Sequence, residues 1–448
     1  MIKKTTNYSS NLIKSGSNEV LGIWDKIRKR DFSGNTGLAI KNTLYQFATS
    51  FISKGGSLLF TIIIARMLLP ELFGLYSLAL STIVLFSSFA DLGIGQTLIN
   101  FISKESSKKK GNQHGYYNYI LKIKVLLTFL AAIILASGAY FISNYYNKPI
   151  FLALIAGSFY ILSNCLLGFF SNLFQAENNF KPLLKREIMF QALRLILIPL
   201  AILITIGYSN QIVLFYIFLA LSFSYLVQLI YLYTIRPRYV GRELNKQQKK
   251  IVNSFIIILT TTVLSGVFFG YIDVIILGRF VEAQFIGFYQ AALTLVASTG
   301  ALFGFSSVLF PIFNKLSGER LKKGLIKSIR IASLVSLGSI LIIFFLGKIA
   351  VFLIYGAEYS QSILLLKIMS LLVFIDPLIA IYSAFHISQG RQEFVARYVI
   401  FATLLNIALN IALIIWLINY SSYAATIGAG IATIISRGFY LLVLSVKK

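Results

Sequence analysis

ARMLLPELFGLYSLAL (65–80) and GRFVEAQFIGFYQAAL (278–293) are two copies of one pattern, 213 residues apart. In each copy, two apolar runs meet at a short polar corner. The copies share an arginine, a glycine and a tyrosine in register, which pairs Arg66 with Arg279, Gly74 with Gly287, and Tyr76 with Tyr289. A weaker similarity, at an offset of 211, relates 173–187 to 384–398. The pattern predicts a chain built from two similar halves, each with a helix–loop–helix corner.

The composition around these corners is that of a membrane protein. Of the 448 residues, 57% are hydrophobic and 12% are charged, whereas soluble domains carry about 25% charged residues. Twelve stretches hold the roughly 20 apolar residues that a spanning helix needs: about 43–66, 72–102, 117–143, 149–175, 187–207, 211–235, 250–278, 284–314, 325–347, 360–387, 393–418 and 422–446. These runs are continuous and lack the alternation of barrel strands. The sequence therefore predicts an all-α integral membrane protein with about 12 transmembrane helices.

Basic residues lie near the ends of these spans. The net charge is +26, yet nucleic-acid binding is excluded because the cations occupy short segments between apolar runs. With the N-terminus placed inside, 33 Lys and Arg residues fall on that side and four on the other. The positive-inside rule then predicts that both termini are cytoplasmic. The loops on the opposite side are short, which leaves no external domain for an enzyme active site.

The spans divide the chain into four segments: a basic cytoplasmic tail over 1–42, a six-helix bundle over 43–235, a basic linker over 236–249 and a second six-helix bundle over 250–448. Six predicted helices separate the two corners, so both halves face the same way. Parallel repeats of this kind are typical of transporters whose substrate site lies between the halves. A metal site or a redox pair is not expected, because the chain has one cysteine and two distant histidines.

Three segments resemble one family of membrane transporters: LPELFGLYSLALS (69–81), FADLGIGQTLINFISK (89–104) and YIDVIILGRFVEAQFIGFYQAA (271–292). The chain, over about 40–448, is similar to the polysaccharide transporter family of the multidrug/oligosaccharidyl-lipid/polysaccharide (MOP) exporter superfamily. Members include the flippases for lipid-linked O-antigen repeat units of lipopolysaccharide and for capsule repeat units. The resemblance implies two six-helix bundles around a central cavity, in a bacterial cytoplasmic membrane.

The same resemblance implies the substrate. It is a polyprenyl-diphosphate-linked oligosaccharide, which passes from the inner to the outer leaflet by alternating access. Membrane lipids, a glycan polymerase and glycosyltransferases are the partners expected from the family, and nucleic acid is not among them.

Charges inside the spans supply the candidate site residues, because each costs about 2.5–3.5 kcal/mol at a helix centre. They are four cations (Lys54, Arg194, Lys367 and Arg437) and three acids (Asp91, Asp273 and Asp376). The cations are candidate contacts for an anionic head group. Gln46 and Ser50 precede Lys54 at helical spacing, and Asn406 and Asn410 lie one turn apart on the eleventh span. These residues predict a hydrated substrate cavity, although small and hydroxylated side chains also let helices approach closely.

The three acids have a second interpretation as ion-coupling or gating groups. Asp376 precedes Pro377 in mid-span, where a proline kinks a helix and frees a carbonyl. Asp91 lies at a bend-prone site, and Asp273 lies near Arg279, with which an ion pair is the structural alternative. No cofactor is expected beyond a coupling Na⁺ or H⁺.

Two other transport functions stay open. Multidrug cation antiporters belong to the same superfamily, but a cavity for cationic drugs is expected to be dominated by acids. A peptidoglycan lipid-precursor flippase is a further variant, which essentiality for growth would favour. A membrane-bound glycan polymerase or ligase needs a sizeable outer loop with catalytic residues, and no predicted outer loop exceeds about 15 residues, so an enzyme is not expected.

Overall fold

The part of the chain that the structure describes is helical. The computed structural model describes residues 34–106, 108, 111–301, 313, 316 and 318–446. Most of the predicted tail (1–33) and part of the eighth predicted span (302–312) lie outside the described residues. Over the described ranges there are 13 α-helices, one short 3₁₀ turn and no strand.

The helices are numbered in chain order. They are α1 Gly34–Asp91, α2 Ile94–Ser106, α3 Gln113–Tyr146, α4 Phe151–Ala176, α5 Lys181–Ile204, α6 Asn210–Thr234, α7 Lys246–Phe280, α8 Ala283–Ala301, α9 Gly318–Ile354, α10 Ser362–Met369, α11 Leu372–Ser388, α12 Gln392–Leu417 and α13 Ser422–Val446. Ten helical stretches among them are long and apolar enough to cross a membrane. The predicted all-α, multi-pass membrane fold is thereby confirmed.

The first corner divides α1 into two helices. Leu69 has φ 57° and ψ 171°, which no α-helix accommodates, and Pro70 follows it inside the continuous run. Proline lacks an N–H and disfavours a helical residue before it, so the helix on its N-terminal side ends there. We call residues 34–68 α1a and residues 70–91 α1b. Two spans result, because 58 residues at about 1.5 Å each are far longer than a bilayer core of about 30 Å.

Two predicted spans are interrupted in the structure. The span predicted over 72–102 breaks between α1b and α2, where Leu92 and Gly93 have φ of 40° and 76°. Gly93 is required there, because a Cβ on it would lie 2.4 Å from the Cβ of Leu259 on α7. The span predicted over 360–387 breaks between α10 and α11 at residues 370–371, and Pro377 lies inside α11 rather than at that break. In each half, one continuous hydrophobic run therefore contains a helix break that its composition does not indicate.

The linker between the halves is shorter than the predicted 236–249. Residues 235–245 have no helix, and α7 begins at Lys246. Asn245 caps this start, since its side chain accepts from the N–H of Gln248 while the Gln248 side chain accepts from the N–H of Asn245. This reciprocal cap satisfies two donors at the helix N-terminus and lets α7 begin in the polar segment.

The two corners touch each other through their glycines. A Cβ on Gly74 would lie 1.8 Å from the carbonyl oxygen of Ala283, and a Cβ on Gly287 would lie 2.0 Å from that of Pro70. The offset of 213 that pairs Gly74 with Gly287 also pairs Pro70 with Ala283. The contact is therefore reciprocal, as an approximate two-fold axis between the halves requires. We call this end of the molecule the corner end and the opposite end, which carries the linker, the basic end.

Side chains reinforce the closure at the corner end. The Arg66 guanidinium donates to the carbonyl oxygens of Leu353 and Ile354, at 2.8 Å for the latter. Its charge thus lies at the C-terminal end of α9, where exposed carbonyls favour a cation. The Tyr359 hydroxyl donates to the Ala65 carbonyl at 2.8 Å. These hydrogen bonds join the first half to the second.

Candidate functional site

A cavity of about 310 Å³ lies between the two halves. Residues from α1a, α1b, α5, α7 and α8 line it: Ser57, Phe60, Thr61, Ile64, Phe73, Tyr76, Ser77, Leu80, Ser81, Arg194, Tyr271, Gln290 and Thr294. Ser77 and Ser81 of α1b correspond to Gln290 and Thr294 of α8 at the offset of 213. The repeated corner therefore gives one polar face of each half to the same cavity.

Hydroxyl and amide groups dominate the polar lining of this cavity. Arg194 is the charged member, and no carboxylate is among the described residues that line it. Such a lining offers hydrogen bonds to a polar solute and one positive charge to an anionic group.

Arg194 is held on several sides. Its Nε donates to Gln191 Oε1 at 3.0 Å, and a terminal nitrogen donates to Ser57 Oγ at 2.9 Å. The guanidinium carbon lies 4.5 Å from the centre of the Phe60 ring and 4.8 Å from that of Phe190. Stacking on aromatic rings stabilises a planar cation without neutralising it. The arrangement fixes the orientation of the guanidinium and keeps its charge.

The charge of Arg194 has no carboxylate beside it. Among the described residues, the ion pairs within 4.0 Å do not include Arg194. The acid on the same helix, Glu187, is occupied by other groups: Arg186 contacts Oε2 at 2.8 Å and Gln191 donates to Oε1 at 2.6 Å. Arg194 therefore brings to the cavity wall a positive charge that forms no ion pair within 4.0 Å in the described part of the chain.

A stripe of polar residues on α1a runs from this cavity toward the basic end. Ser57 and Thr61 line the cavity, and Lys54, Ser50 and Gln46 precede them at steps of three or four residues on the same helix face. All three are exposed. The structure thus places these three predicted substrate contacts on one helix face with the cavity, while their role in binding stays a prediction.

The two other predicted cations lie in the second half, outside the cavity lining. The half-buried Lys367 places its Nζ 4.6 Å from the centre of the Phe344 ring. Arg437 forms an ion pair with Asp376, with 2.6 Å between the guanidinium nitrogen and Oδ2. This pair joins α11 to α13. The sequence did not predict it, because the two residues lie far apart in the chain.

A second polar cluster is buried in the second half around Asp273. Its Oδ2 accepts from the Tyr289 hydroxyl at 2.6 Å and from the Thr433 hydroxyl at 2.5 Å, and its Oδ1 accepts from Asn410 at 2.7 Å. Asn406 joins the cluster through Thr433, at 3.4 Å. These bonds replace the ion pair with Arg279 that the sequence offered as an alternative. Asn406 and Asn410, predicted substrate contacts, lie at this carboxylate instead of in the cavity lining.

The Asp273 cluster has unused acceptors. The side-chain oxygens of Asn406 and Asn410 are buried without a hydrogen-bond partner in the described part of the chain. Both residues are fully buried. Unpaired buried oxygens next to a carboxylate form a set of hard ligands that suits an alkali cation or a proton.

A third charged pair was missed by the sequence analysis. Lys124, buried on α3, donates to Asp91 Oδ1 at 2.7 Å and to the Ala90 carbonyl at 3.0 Å. Lys124 is not among the four cations named from the sequence, although it lies well inside the predicted span 117–143. The signal that identifies it was therefore available, since a lysine two turns into a span needs a partner. Asp91 is paired at the break between α1b and α2.

The sequence itself assigns the family. Residues 39–317 match the model of the family described as "Polysaccharide biosynthesis protein", which is more than half of the 448-residue chain. The chain belongs to this family. The predicted resemblance to a polysaccharide family is thus confirmed. No curated protein matches the chain in sequence.

Solved structures of a lipid flippase and of MATE transporters share its fold. The lipid II flippase MurJ in an inward closed conformation matches with a TM-score of 0.71 and 16% identity, over 91% of this chain and 88% of that one. An inward-facing multidrug resistance MATE transporter of the MOP superfamily matches with a TM-score of 0.58 and 13% identity, over 90% and 94% of the two chains. A eukaryotic MATE transporter gives 0.59 and 15%, over 91% and 96%. At these identities the matches define the fold of this family member.

Proposed function

We propose that this protein is a flippase that moves a polyprenyl-diphosphate-linked oligosaccharide, the repeat unit of an O-antigen or capsule, between the leaflets of the membrane. The observation that carries the proposal is the position of Arg194 in the wall of a polar cavity between the halves, where it forms hydrogen bonds but no ion pair with a described residue. Membership of the polysaccharide biosynthesis family supports the substrate class. The fold shared with MurJ and MATE transporters supports transport by alternating access.

The lining of the cavity can lower the two energetic costs of moving such a substrate across a bilayer. A hydroxyl group moved into hydrocarbon without a partner costs roughly 2–7 kcal/mol, and a sugar carries several of them. The hydroxyl and amide groups of Ser77, Ser81, Gln290 and Thr294 offer replacement hydrogen bonds. The diphosphate is anionic, and Arg194 supplies a planar donor group of opposite charge. The polyprenyl tail stays in lipid while the head group crosses.

The sign of the cavity charge favours this substrate over a cationic drug. A cationic drug in this cavity would be repelled by Arg194, whereas an anionic head group would be attracted by it. The described lining contains an arginine and no carboxylate. A peptidoglycan lipid precursor is the second candidate, since the fold match to the lipid II flippase MurJ is consistent with it.

The proposed direction follows from the basic residues. We place the basic end in the cytoplasm of a bacterial inner membrane, with both termini on that side. The head group then enters from the cytoplasm along the α1a stripe of Gln46, Ser50 and Lys54, and leaves when the corner end opens. Glycosyltransferases supply the substrate and a glycan polymerase consumes it.

Coupling to an ion gradient is assigned to the second half. Asp273, with Asn406 and Asn410, is the proposed Na⁺ or H⁺ site, because its carboxylate and the two unpaired amide oxygens are buried together. Asp376 and Pro377 on α11 and Asp91 at the α1b–α2 break are the proposed gating positions.

The decisive experiment replaces Arg194. Protein reconstituted in proteoliposomes is assayed for translocation of a polyprenyl-diphosphate-linked saccharide, with Arg320→Ala at an exposed arginine of α9 as the matched control. Arg194→Ala is expected to lower the rate at least about 100-fold, in line with a buried charge-assisted contact worth roughly 3 kcal/mol. Arg194→Lys keeps the charge but loses the planar fork, and an intermediate rate is expected.

Three outcomes would oppose the proposal. A wild-type rate in Arg194→Ala removes the head-group site. Efflux of a cationic drug without saccharide translocation would identify an antiporter. Arrest of growth on depletion, with accumulation of a peptidoglycan precursor, would identify the second candidate.

A further inference from the structure

We infer that Gln191 is a positioning residue that insulates Arg194 from Glu187 and so keeps the arginine's charge available to an anion in the cavity. The inference rests on the proposed function, because it concerns the same site. It assigns a role to a neutral side chain that is absent from the cavity lining.

The three residues lie along one face of α5. Glu187, Gln191 and Arg194 are spaced by four and three residues, which places them one above the other on a helix. Glutamate and arginine two turns apart are about 10.5 Å distant at Cα, a separation that their extended side chains can bridge. Gln191 occupies the space between them, where the ion pair would otherwise form.

The amide of Gln191 satisfies both neighbours at once. Its Nε2 donates to Glu187 Oε1 at 2.6 Å, and its Oε1 accepts from Arg194 Nε at 3.0 Å. Only this orientation of the amide is compatible with the two charges, since a carboxylate needs a donor and a guanidinium needs an acceptor. An amide is neutral, so it orients Arg194 without cancelling its charge.

The counter-charge of Glu187 comes from elsewhere. Arg186 contacts Glu187 Oε2 at 2.8 Å. The carboxylate therefore has its own cation, and the cluster of Arg186, Glu187 and Arg194 carries one net positive charge. That charge is located at Arg194, which is the member of the cluster that lines the cavity.

Helix α1a holds the amide in place. A Cβ on Gly56 would lie 2.2 Å from Gln191 Oε1, so the backbone of α1a passes directly over the amide. The next residue, Ser57, accepts from a terminal nitrogen of Arg194 at 2.9 Å. Gly56 therefore leaves space for the Gln191 side chain, and Ser57 fixes the far end of the guanidinium.

The alternative is that this network only fastens α5 to α1a. The two roles differ in what happens when Gln191 and Glu187 are both replaced. If Gln191 insulates, then Gln191→Met lets Arg194 turn toward Glu187, and further replacement of Glu187 by Gln removes the competing carboxylate and restores anion binding. If the network only fastens helices, the double variant is at least as impaired as the single one.

The experiment measures binding of farnesyl diphosphate, a short prenyl diphosphate, to the purified full-length protein in detergent. The variants are Q191M, E187Q/Q191M and R194A, with R320A as the control. Q191M is expected to weaken binding about tenfold, which is the loss expected when a charged donor turns to another acceptor. E187Q/Q191M is expected to bind within about threefold of the wild type. A double variant as weak as Q191M, or weaker, overturns the inference.

The arginine variant separates this inference from the proposed function. If R194A binds farnesyl diphosphate like the wild type, the proposed head-group site is wrong. If R194A loses binding while Q191M binds normally, only the insulating role is wrong. Should Q191M fail to fold, as judged by gel filtration and thermal unfolding, Q191E takes its place. It sets a carboxylate against Arg194, and unchanged affinity in that variant would equally overturn the inference.

Discussion

Phe60 in the first half and Asp273 in the second occupy equivalent positions of the repeat, at the offset of 213 that relates the two corners. The guanidinium of Arg194 lies 4.5 Å from the Phe60 ring. The carboxylate of Asp273 instead accepts hydroxyl protons from Tyr289 and Thr433. Equivalent positions of the repeat therefore lie next to a cation in the first half and carry an anion in the second.

The neighbouring charges extend this contrast. The first half has two cations and one acid around the site, namely Arg186, Arg194 and Glu187. The second half has two acids and one cation, namely Asp273, Asp376 and Arg437. The two halves thus share a repeated corner but carry opposite net charge around these residues. This difference is what the proposed function requires, namely separate sites for an anionic head group and for a coupling cation.

The largest effect on translocation is expected when the first half receives an acid at the position equivalent to Asp273. Phe60→Asp puts a carboxylate where the Arg194 guanidinium now stacks, and an ion pair should form in this buried setting. Saccharide translocation in proteoliposomes is expected to fall about 100-fold, as for removal of the arginine. Phe60→Leu is the matched control, which loses only the stacking, with an expected loss of about two- to fivefold. Normal translocation by Phe60→Asp would contradict the cation-based site.

The complementary change removes the acid of the second half. Asp273→Asn keeps the size of the side chain and abolishes its charge, so the coupling cation loses its counter-charge. The rate driven by an imposed Na⁺ or pH gradient is expected to fall about tenfold, to the level seen without a gradient. Glu393→Gln, at an exposed acid on α12, serves as the control. An unaltered gradient response in Asp273→Asn would exclude this residue from coupling.

Replacement of either corner glycine is expected to have a smaller effect, and the effect should be the same for the two glycines. Alanine at Gly74 or Gly287 would bring a Cβ within about 2 Å of a backbone carbonyl of the other half, and overpacking of this kind costs about 1–3 kcal/mol. The thermal unfolding midpoint of either variant is expected to fall by several degrees. Gly168→Ala is the control, because no atom lies within 4 Å of a Cβ there. Destabilisation by only one of the pair would contradict the reciprocal corner contact.

The smallest effect is expected in the linker, which the repeat does not include. The Tyr239 hydroxyl donates to Glu177 at 2.5 Å, and Tyr239→Phe should cost about 0.5–1.5 kcal/mol of stability with little change in translocation. Burial, and then the hydrogen bond to Glu177 and the charge of that carboxylate, raise the pKa of Tyr239 above its ordinary value of 10.0. The stabilisation is therefore present through neutral pH and is lost only as the pH rises above that value.

Thermal unfolding of Tyr239→Phe beside Tyr208→Phe, at an exposed tyrosine, measures this effect. A large difference between these two variants in translocation would give the linker a role in transport that its contacts do not indicate.

The repeated corner and the long apolar runs were sufficient to predict the fold. They depend on local composition, on the length of a bilayer crossing and on a match between two segments of the same chain. The helix breaks at 92–93 and 370–371 were not predictable, because a hydrophobic run does not show where a left-handed residue or a tertiary contact ends a helix. Such breaks depend on neighbours like Leu259, which lie far away in sequence.

Only part of the candidate site could be predicted from the sequence. Charge inside a span identified Arg194, Asp273, Asp376 and Arg437, since burial cost makes any such residue notable. It did not indicate which of them pair, because Asp376 and Arg437 meet across 61 residues. Gln191 gave no signal, since an amide inside a span becomes significant only through the two charges that it separates.

The central claim is that the head group crosses through the cavity beside Arg194. It is tested most directly by introducing a photoreactive phenylalanine derivative at Gln290, which lines the cavity, and separately at Ile331, which is exposed on α9. Irradiation in the presence of a radiolabelled polyprenyl-diphosphate-linked saccharide is expected to label the protein at position 290 and not at 331. Labelling at 331 with none at 290 would contradict the account.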